Sequence, residues 1–380
     1  MLRKLLQVQL RHNLNKFCNN PNLRQISYAK PKSNNVSKKI PLYGMALGIV
    51  AGTGYSIYKL NEPRGHILSE QIVIPMIKNA PKYTPSRSIA IPSDKTGLKL
   101  TLFQYQTCPF CCKVRAFLDY HGISYEVVEV DPVLRQATKW STYKKVPILL
   151  AEVDGGYQPL NDSTMIISSL ATYLYEDQSL RDIVQYYPYL RYQAEDGSEK
   201  NEIMNRYFLM YNQEKVKNRT KEDMNEERKW RMWADDVLVH DLSPNVYRTK
   251  AEALQAFNWF SEVGDWERQF PSWERNLIIY VGSMAMLLIG KRLKKRHNLK
   301  DDVRESLYDH CDEWVTAIRN KGTEFMGGSA PNLADLAVYG VLSSIEGCDA
   351  FKDLSKETGI MKWYGSMKAA VKNHGGSQFV

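Results

Sequence analysis

The sequence predicts an α/β domain followed by an all-α domain, with an N-terminal membrane segment ahead of both. Three observations predict this. From Leu98 to Gln178 short apolar strand patterns alternate with helical ones, and two cysteines three apart follow the first strand. From Glu199 onward strand patterns give way to helical periodicity. Near the start, an uncharged stretch is flanked on both sides by basic residues. The implied divisions are 1–40, 41–60, 61–96, 97–180 and 181–380.

At 380 residues the chain has room for two domains and a sizeable core, and 43% hydrophobic with 24% charged residues is globular composition. Three of the six cysteines crowd into positions 108–112 and the others are scattered (Cys18, Cys311, Cys348). That is not a disulfide framework, and a reducing compartment is expected. The net charge of +9 does not point to nucleic acid, because much of the excess sits in the first 40 residues and in Lys291-Arg-Leu-Lys-Lys-Arg-His297. Charge so placed points to targeting or to a membrane surface.

Residues 1–40 carry Arg3, Lys4, Arg11, Lys16, Arg24, Lys30, Lys32, Lys38 and Lys39 and no acid. Leu2, Leu5, Leu6, Val8 and Leu10 fall roughly on one helix face, the pattern of a mitochondrial presequence; a disordered basic tail is the alternative. Pro41 to Tyr58 is uncharged and long enough to span a bilayer once, with Gly44, Gly48, Gly52 and Gly54 suited to close helix contacts. A single-pass anchor is the expectation there, a weakly inserted hairpin or a processed segment the alternative. Residues 61–96 hold five prolines without sustained periodicity and read as a tether.

In the α/β part, Leu98 to Tyr105 is a strand and Pro109 to Tyr120 a helix with Val114, Phe117 and Leu118 inward, closed by Gly122. Tyr125 to Val130 alternates as a second strand. A polar segment, Pro132 to Tyr143, precedes a third strand from Lys145 to Leu150. Gly155-Gly156 makes a hairpin turn, and a helix begins behind Asp162 as its N-cap. The order β, α, β, α, β, β, α with a dithiol after the first strand is the thioredoxin plan.

The chemistry gathers in Tyr105-Gln-Thr-Cys-Pro-Phe-Cys-Cys. Cys108 stands where a helix starts, with Pro109 at the first helical position and Cys111 one turn on. A thiol there meets the helix dipole and unpaired N–H groups, which favour thiolate. Pro109 costs nothing, since its missing N–H had no intrahelical partner. Half a zinc site is an alternative, although no second pair follows at zinc-finger spacing, and two ordinary core cysteines are another.

In the helical part, candidate helices run over Glu202–Val216, Lys221–His240, Thr249–Phe260, Leu277–His297 and Asp301–Asn320, the second stopped by Ser243-Pro244. Leu277 to Gly290 is 14 uncharged residues, too short to span a bilayer, and reads as a core helix. Asn332 and Asp335 have capping-box spacing. Arg292 and Arg296 share a helix face, fit either to meet carboxylates or to stay solvated. His240 reads as a helix-end residue or as a ligand.

Cys108-Pro-Phe-Cys111, Val146-Pro147 and Asp162-Ser163, at these separations, resemble the glutaredoxin and glutathione-transferase superfamily. The resemblance implies a thioredoxin-like (glutaredoxin-type) domain followed by an all-α glutathione-transferase C-terminal-like domain. It implies a cis bond before Pro147, with the Val146 backbone pairing the cysteinyl part of glutathione. Asp162 and Ser163 would receive the γ-glutamyl group, and free N–H groups at a helix start suit its carboxylate. Taken singly, Pro147 reads as an edge-strand proline and Asp162 as a plain N-cap.

Longer stretches, among them Lys113-Val-Arg-Ala-Phe-Leu-Asp, Trp233-Ala-Asp-Asp, Ser243-Pro-Asn-Val-Tyr-Arg-Thr and Pro331-Asn-Leu-Ala-Asp-Leu-Ala-Val-Tyr-Gly-Val, resemble the family of membrane-associated prostaglandin E synthases of type 2. That resemblance implies an isomerase that converts the endoperoxide prostaglandin H2 to prostaglandin E2. The Cys108 thiol would open the O–O bond, with Tyr105 and Phe110 lining the site; Cys111 is not required by an isomerase. It also implies non-covalent haem held together with glutathione, in a form that breaks the endoperoxide down, with His240, Ser243, Arg292 and Arg296 as candidates for the pocket. A homodimer and a Golgi or processed cytosolic form are implied as well, whereas the presequence-like start points to mitochondria. Two other functions stay open. One is a glutaredoxin-like thiol–disulfide oxidoreductase, with Cys108 attacking and Cys111 resolving. The other is a non-enzymatic haem- and glutathione-binding membrane protein.

Overall fold

The computed structural model describes residues 70–176, 178–193, 199–212 and 219–377. The expected presequence-like tail, the membrane segment and the first part of the tether lie outside the described residues.

The strand patterns become a five-stranded sheet of β2 (Arg87–Ile89), β3 (Leu100–Gln104), β4 (Tyr125–Glu129), β5 (Ile148–Val153) and β6 (Gly156–Asn161), ordered β2-β4-β3-β5-β6. β3 and β4 are parallel and joined by helix α1 (Pro109–His121); the other pairings are antiparallel. β6 leads into α2 (Ser163–Tyr175). This is the thioredoxin-type arrangement. Its second helix, expected in the polar segment before Lys145, is reduced to a 3-10 turn at Gln136–Thr138. β5 begins only at Ile148, behind the cis Val146–Pro147 peptide.

Three expectations change before and after this sheet. Residues 70–96, read as part of a tether, run along the body: β2 pairs with β4, and Ile77 exchanges backbone hydrogen bonds with Tyr157. β1 (Glu70–Ile72) pairs with β7 (Tyr189–Gln193), and β7 with β8 (Glu199–Ile203), in a second, antiparallel sheet. Strands therefore do not end at Glu199, and the helix expected over Glu202–Val216 does not start at Glu202. Four consecutive polar residues, Glu199 to Glu202, conceal a strand from any reading by apolar pattern. Asp196-Gly197, a hairpin signal between the two strands, was the available clue.

The remaining chain is helical: α3 (Leu180–Ile183), α4 (Lys221–Trp233), α5 (Val239–Val246), α6 (Lys250–Val263), α7 (Trp266–Gln269), α8 (Ser272–Leu277), α9 (Ser283–Arg296), α10 (Val303–Lys321), α11 (Leu333–Ser343), α12 (Asp349–Glu357) and α13 (Ile360–Lys372). The run expected over Lys221–His240 is broken by a π-helical turn at Ala234–Leu238. Pro244 does not stop it; α5 carries Pro244 inside and ends at Val246.

α11 is apolar on every side and forms the centre of this half. Asn332 caps it and Asp335 completes the capping box, as the spacing predicts. The Asp335 carboxylate also accepts from the backbone N–H of Met326 (3.0 Å) and Gly327 (2.9 Å) and from Trp363 Nε1 (2.9 Å). α11 lies on α1 at Gly340, where a Cβ would stand 2.5 Å from the Lys113 Cα. Only glycine permits that approach.

α8, a π-helical turn at Ile278–Gly282, and α9 form one helical run, Ser272–Arg296, long and apolar enough to cross a membrane by length and composition. The expected core helix is only half a core helix. Ile278, Ile279 and Leu287 are buried, while Trp273, Leu277, Tyr280, Val281, Met284, Leu288 and Ile289 are exposed.

Candidate active site

Cys108 is the N-cap of α1, in extended conformation, with Pro109 next to it at the start of the helix. Its thiol is half-buried, whereas Cys111, Cys112, Cys311 and Cys348 are buried. The Cys108 thiol is held below the usual range, first by a hydrogen bond from the Cys111 thiol, then by the backbone N–H groups of Cys111 and Phe110 and the charge of Arg115; burial opposes them. The Cys111 thiol is pushed well up, by burial and by its hydrogen bond to Cys108. Of the pair, Cys108 is the thiol favoured for ionisation and Cys111 the one held protonated.

The glutathione candidates gather around this thiol. Cys111 and Val146 belong to one apolar cluster with Phe103 and Ile148, against which Tyr105 and Cys108 pack. The Val146–Pro147 peptide is cis. Asp162 caps α2 from a left-handed backbone (φ 70°), its Oδ1 accepting from the N–H of Thr164 (2.9 Å) and Met165 (3.3 Å). Ser163 is buried in the first turn. Tyr143 packs against the same cluster: burial pushes its hydroxyl up, and Asp162, Tyr189, Cys108 and Cys111 add to the effect. Burial likewise raises Tyr105, countered by Arg135 and reinforced by Cys108 and Cys111.

On the other side of Cys108 a cavity of about 280 Å³ opens between the start of α1 and α5. Phe110, His240 and Ser243 border it, and Val239, Leu242, Val246 and Phe260 make its wall largely apolar. The His240 ring stacks on His297 (3.8 Å between centroids, 14° between planes). Burial, then the neighbouring His297, hold its imidazole below the ordinary range. Arg292 and Arg296 do not reach this cavity; they stand exposed on α9.

Sequence reasoning missed several residues that hold the site. Arg206 NH1 lies 3.6 Å from Asp162 Oδ2, in a segment misread as helix. Lys113, buried on α1, donates to Asp235 in the π-helical turn and to Thr164 Oγ1 (3.1 Å) in α2. Thr164 Oγ1 (2.6 Å) and Tyr207 Oη (3.0 Å) donate to the other oxygen of Asp235. Burial would raise Asp235, but the Lys113 charge and these hydrogen bonds hold it below the usual carboxylate range. One cluster thus ties α1, α2 and the helical half together. The lysine one turn beyond a thiol and the Trp-Ala-Asp-Asp stretch were visible, but nothing in the sequence paired them.

This fold and this site define a glutathione-transferase-like protein whose first helix begins on a cysteine. Residues 102–177 match the family model described as glutathione S-transferase, N-terminal domain. Glutathione transferase F7 from Populus trichocarpa aligns with 73% of this chain and 99% of its own at 14% identity and a TM-score of 0.40. Closer similarity comes from sequence. Prostaglandin E synthase 2 of Mus musculus is 50% identical over 288 residues, 75% of this chain and 74% of the relative. Prostaglandin E synthase 2 of Danio rerio is 49% identical over 281 residues, 73% of this chain and 72% of the relative. The chain belongs to the prostaglandin E synthase 2 family, a family of isomerases.

Proposed function

We propose that the chain is a glutathione-dependent prostaglandin E synthase, isomerising prostaglandin H2 to prostaglandin E2 through the Cys108 thiolate. The observation that carries this is a thiol at a helix start, favoured for ionisation, that borders a largely apolar cavity and packs beside Val146 near the Asp162 and Ser163 helix start. Val146, Asp162 and Ser163 fit glutathione by their donor set. The start of α2 and Ser163 suit the γ-glutamyl carboxylate, Asp162 its ammonium, and the Val146 backbone an extended peptide. When bound, glutathione would fill the polar side of the site and bring a second thiol.

In the reaction the thiolate attacks one peroxide oxygen and the O–O bond breaks. The other oxygen leaves as an alkoxide and takes a proton, becoming the hydroxyl. Loss of a proton from the carbon bearing the sulfur-bound oxygen forms the ketone and returns the thiolate, so no net oxidant or reductant is consumed. Tyr105 and Phe110 flank the reacting sulfur, and the apolar wall holds the fatty chains. Cys108→Ser tests this with purified prostaglandin H2: prostaglandin E2 formation should fall at least a hundredfold, and undiminished formation would refute the thiolate mechanism.

The Cys111 hydrogen bond to Cys108 also supports a second reading, thiol–disulfide exchange of the glutaredoxin type. Fast reduction of a glutathione mixed disulfide that needs both cysteines would favour it. Haem, also implied by the family resemblance, finds no gathered site among the described residues: His240 borders the cavity, while Arg292 and Arg296 lie outside its walls. No step is assigned to it. A Soret shift on adding glutathione to the haem-loaded chain is the measurement that would restore it.

A further inference from the structure

We propose that the outer face of the Ser272–Arg296 run lies on an anionic lipid surface, as a membrane contact separate from the N-terminal hydrophobic segment. Trp273, Leu277, Tyr280, Val281, Met284, Leu288 and Ile289 form an unpartnered apolar stripe, with Tyr280 62% and Leu288 66% exposed. Stripes of this size on a soluble body mark interaction surfaces. The opposite edge of the run packs on α5 and α6, where Gly290 brings α9 within 3.3 Å of the Ser243 carbonyl at Cβ distance. A helix held along its length by two others cannot leave the body to span a bilayer; it can lie in the plane of one.

Charge selects the occupant. Lys291, Arg292, Lys295 and Arg296 follow the stripe directly, are exposed, and form no ion pair among the described residues. Three acids near the ends are already matched, Asp265 with Arg268 (3.2 Å), Glu267 with Arg275 (3.3 Å) and Asp301 with Lys294 (3.4 Å), and Glu274 within the run is buried. A second copy of the chain on this stripe would set the same four cations against each other, and the run itself offers them no exposed acid. An anionic bilayer satisfies both halves: acyl chains take the stripe, headgroup phosphates take the cations, and Trp273 and Tyr280 are residues that favour the interface.

The test uses the full chain with vesicles carrying brominated acyl chains, either phosphatidylcholine alone or phosphatidylcholine with phosphatidylserine. Trp273 emission is isolated as the difference from Trp273→Phe. Quenching on the anionic vesicles is expected, and it should be lost at about 0.5 M salt. The combined variant Lys291→Gln, Arg292→Gln, Lys295→Gln and Arg296→Gln should weaken docking of the run about 10³-fold, returning the emission to its vesicle-free level while helix content by circular dichroism stays unchanged. Absent quenching, or equal quenching on neutral vesicles, overturns the proposal. So does a lipid-free oligomer in sedimentation that Leu288→Glu dissociates, because a second copy would then cover the stripe.

Discussion

Replacing Cys111 by Ala probes the electronic state of Cys108 without touching its position at the start of α1. The Cys111 thiol supplies the largest of the effects that lower Cys108. A hydrogen bond to a charged acceptor is worth about 1.5–3 kcal/mol, and a thiol is a weak donor, so the lower figure applies. About 1.4 kcal/mol corresponds to a tenfold smaller thiolate population below the midpoint. A more basic thiolate is also a better nucleophile, with a Brønsted coefficient of about 0.4–0.5, which returns roughly threefold. Alkylation of Cys108 by iodoacetamide at neutral pH should therefore slow only about threefold, while its pH midpoint moves up. The rate is followed by mass spectrometry of the Cys108 peptide from pH 5 to 10 (about one reading per half unit). A midpoint that stays fixed or moves down would show that the helix start and Arg115 set the thiolate alone.

Asp335→Ala removes four hydrogen bonds to a buried carboxylate and leaves the Met326, Gly327 and Asn332 N–H groups and Trp363 Nε1 without that acceptor. It should cost about 3–5 kcal/mol in urea unfolding. Lys113→Met strands Asp235 and should cost a similar amount, about 3–5 kcal/mol; adding Asp235→Leu should recover most of it, whereas additive losses would refute the pairing. His121 is held down from 6.5 to about 4 by burial, with a hydrogen bond to the Gly376 carbonyl opposing. The unfolded chain then binds the extra proton first, so this stability is present above pH 6.5 and lost as pH falls towards 4, in total about 3 kcal/mol. His121→Gln should flatten that part of the stability profile, read from urea midpoints between those limits.

The thioredoxin-type half was legible because its signals are local. Pro109 behind Cys108, Gly122 after the helix and Asp162 before the next one each announce a helix end by their own chemistry. The cis Val146-Pro147 bond was legible only through the family resemblance, since Pro147 taken singly reads as an edge-strand proline. The helical half was legible as helices but not in their registers: nothing local marks a π-helical turn at Ala234–Leu238 or the continuation through Pro244. Lys113 and Asp235 are separated by 122 residues in sequence, and their cluster exists only once α1 and the π-helical turn have come together. The outward stripe of α8 and α9 was hidden for a related reason. A π-helical turn between them shifts the register, so a 14-residue uncharged run has a buried edge and an exposed one.

The π-helical turn at Ala234–Leu238 holds one residue more than an α-helical turn would. Each residue of an α-helix advances it by about 100°. Were one residue lost from that turn, α5 would swing through about that angle about its axis, and His240 and Ser243 would be carried off the wall that faces Cys108. The same slip would pull Asp235 out of register with Lys113 and Thr164. The Lys113–Asp235 cluster and the far wall of the cavity are thus indexed by a single extra residue, so the spacing of this stretch is as much a part of the site as the side chains on it.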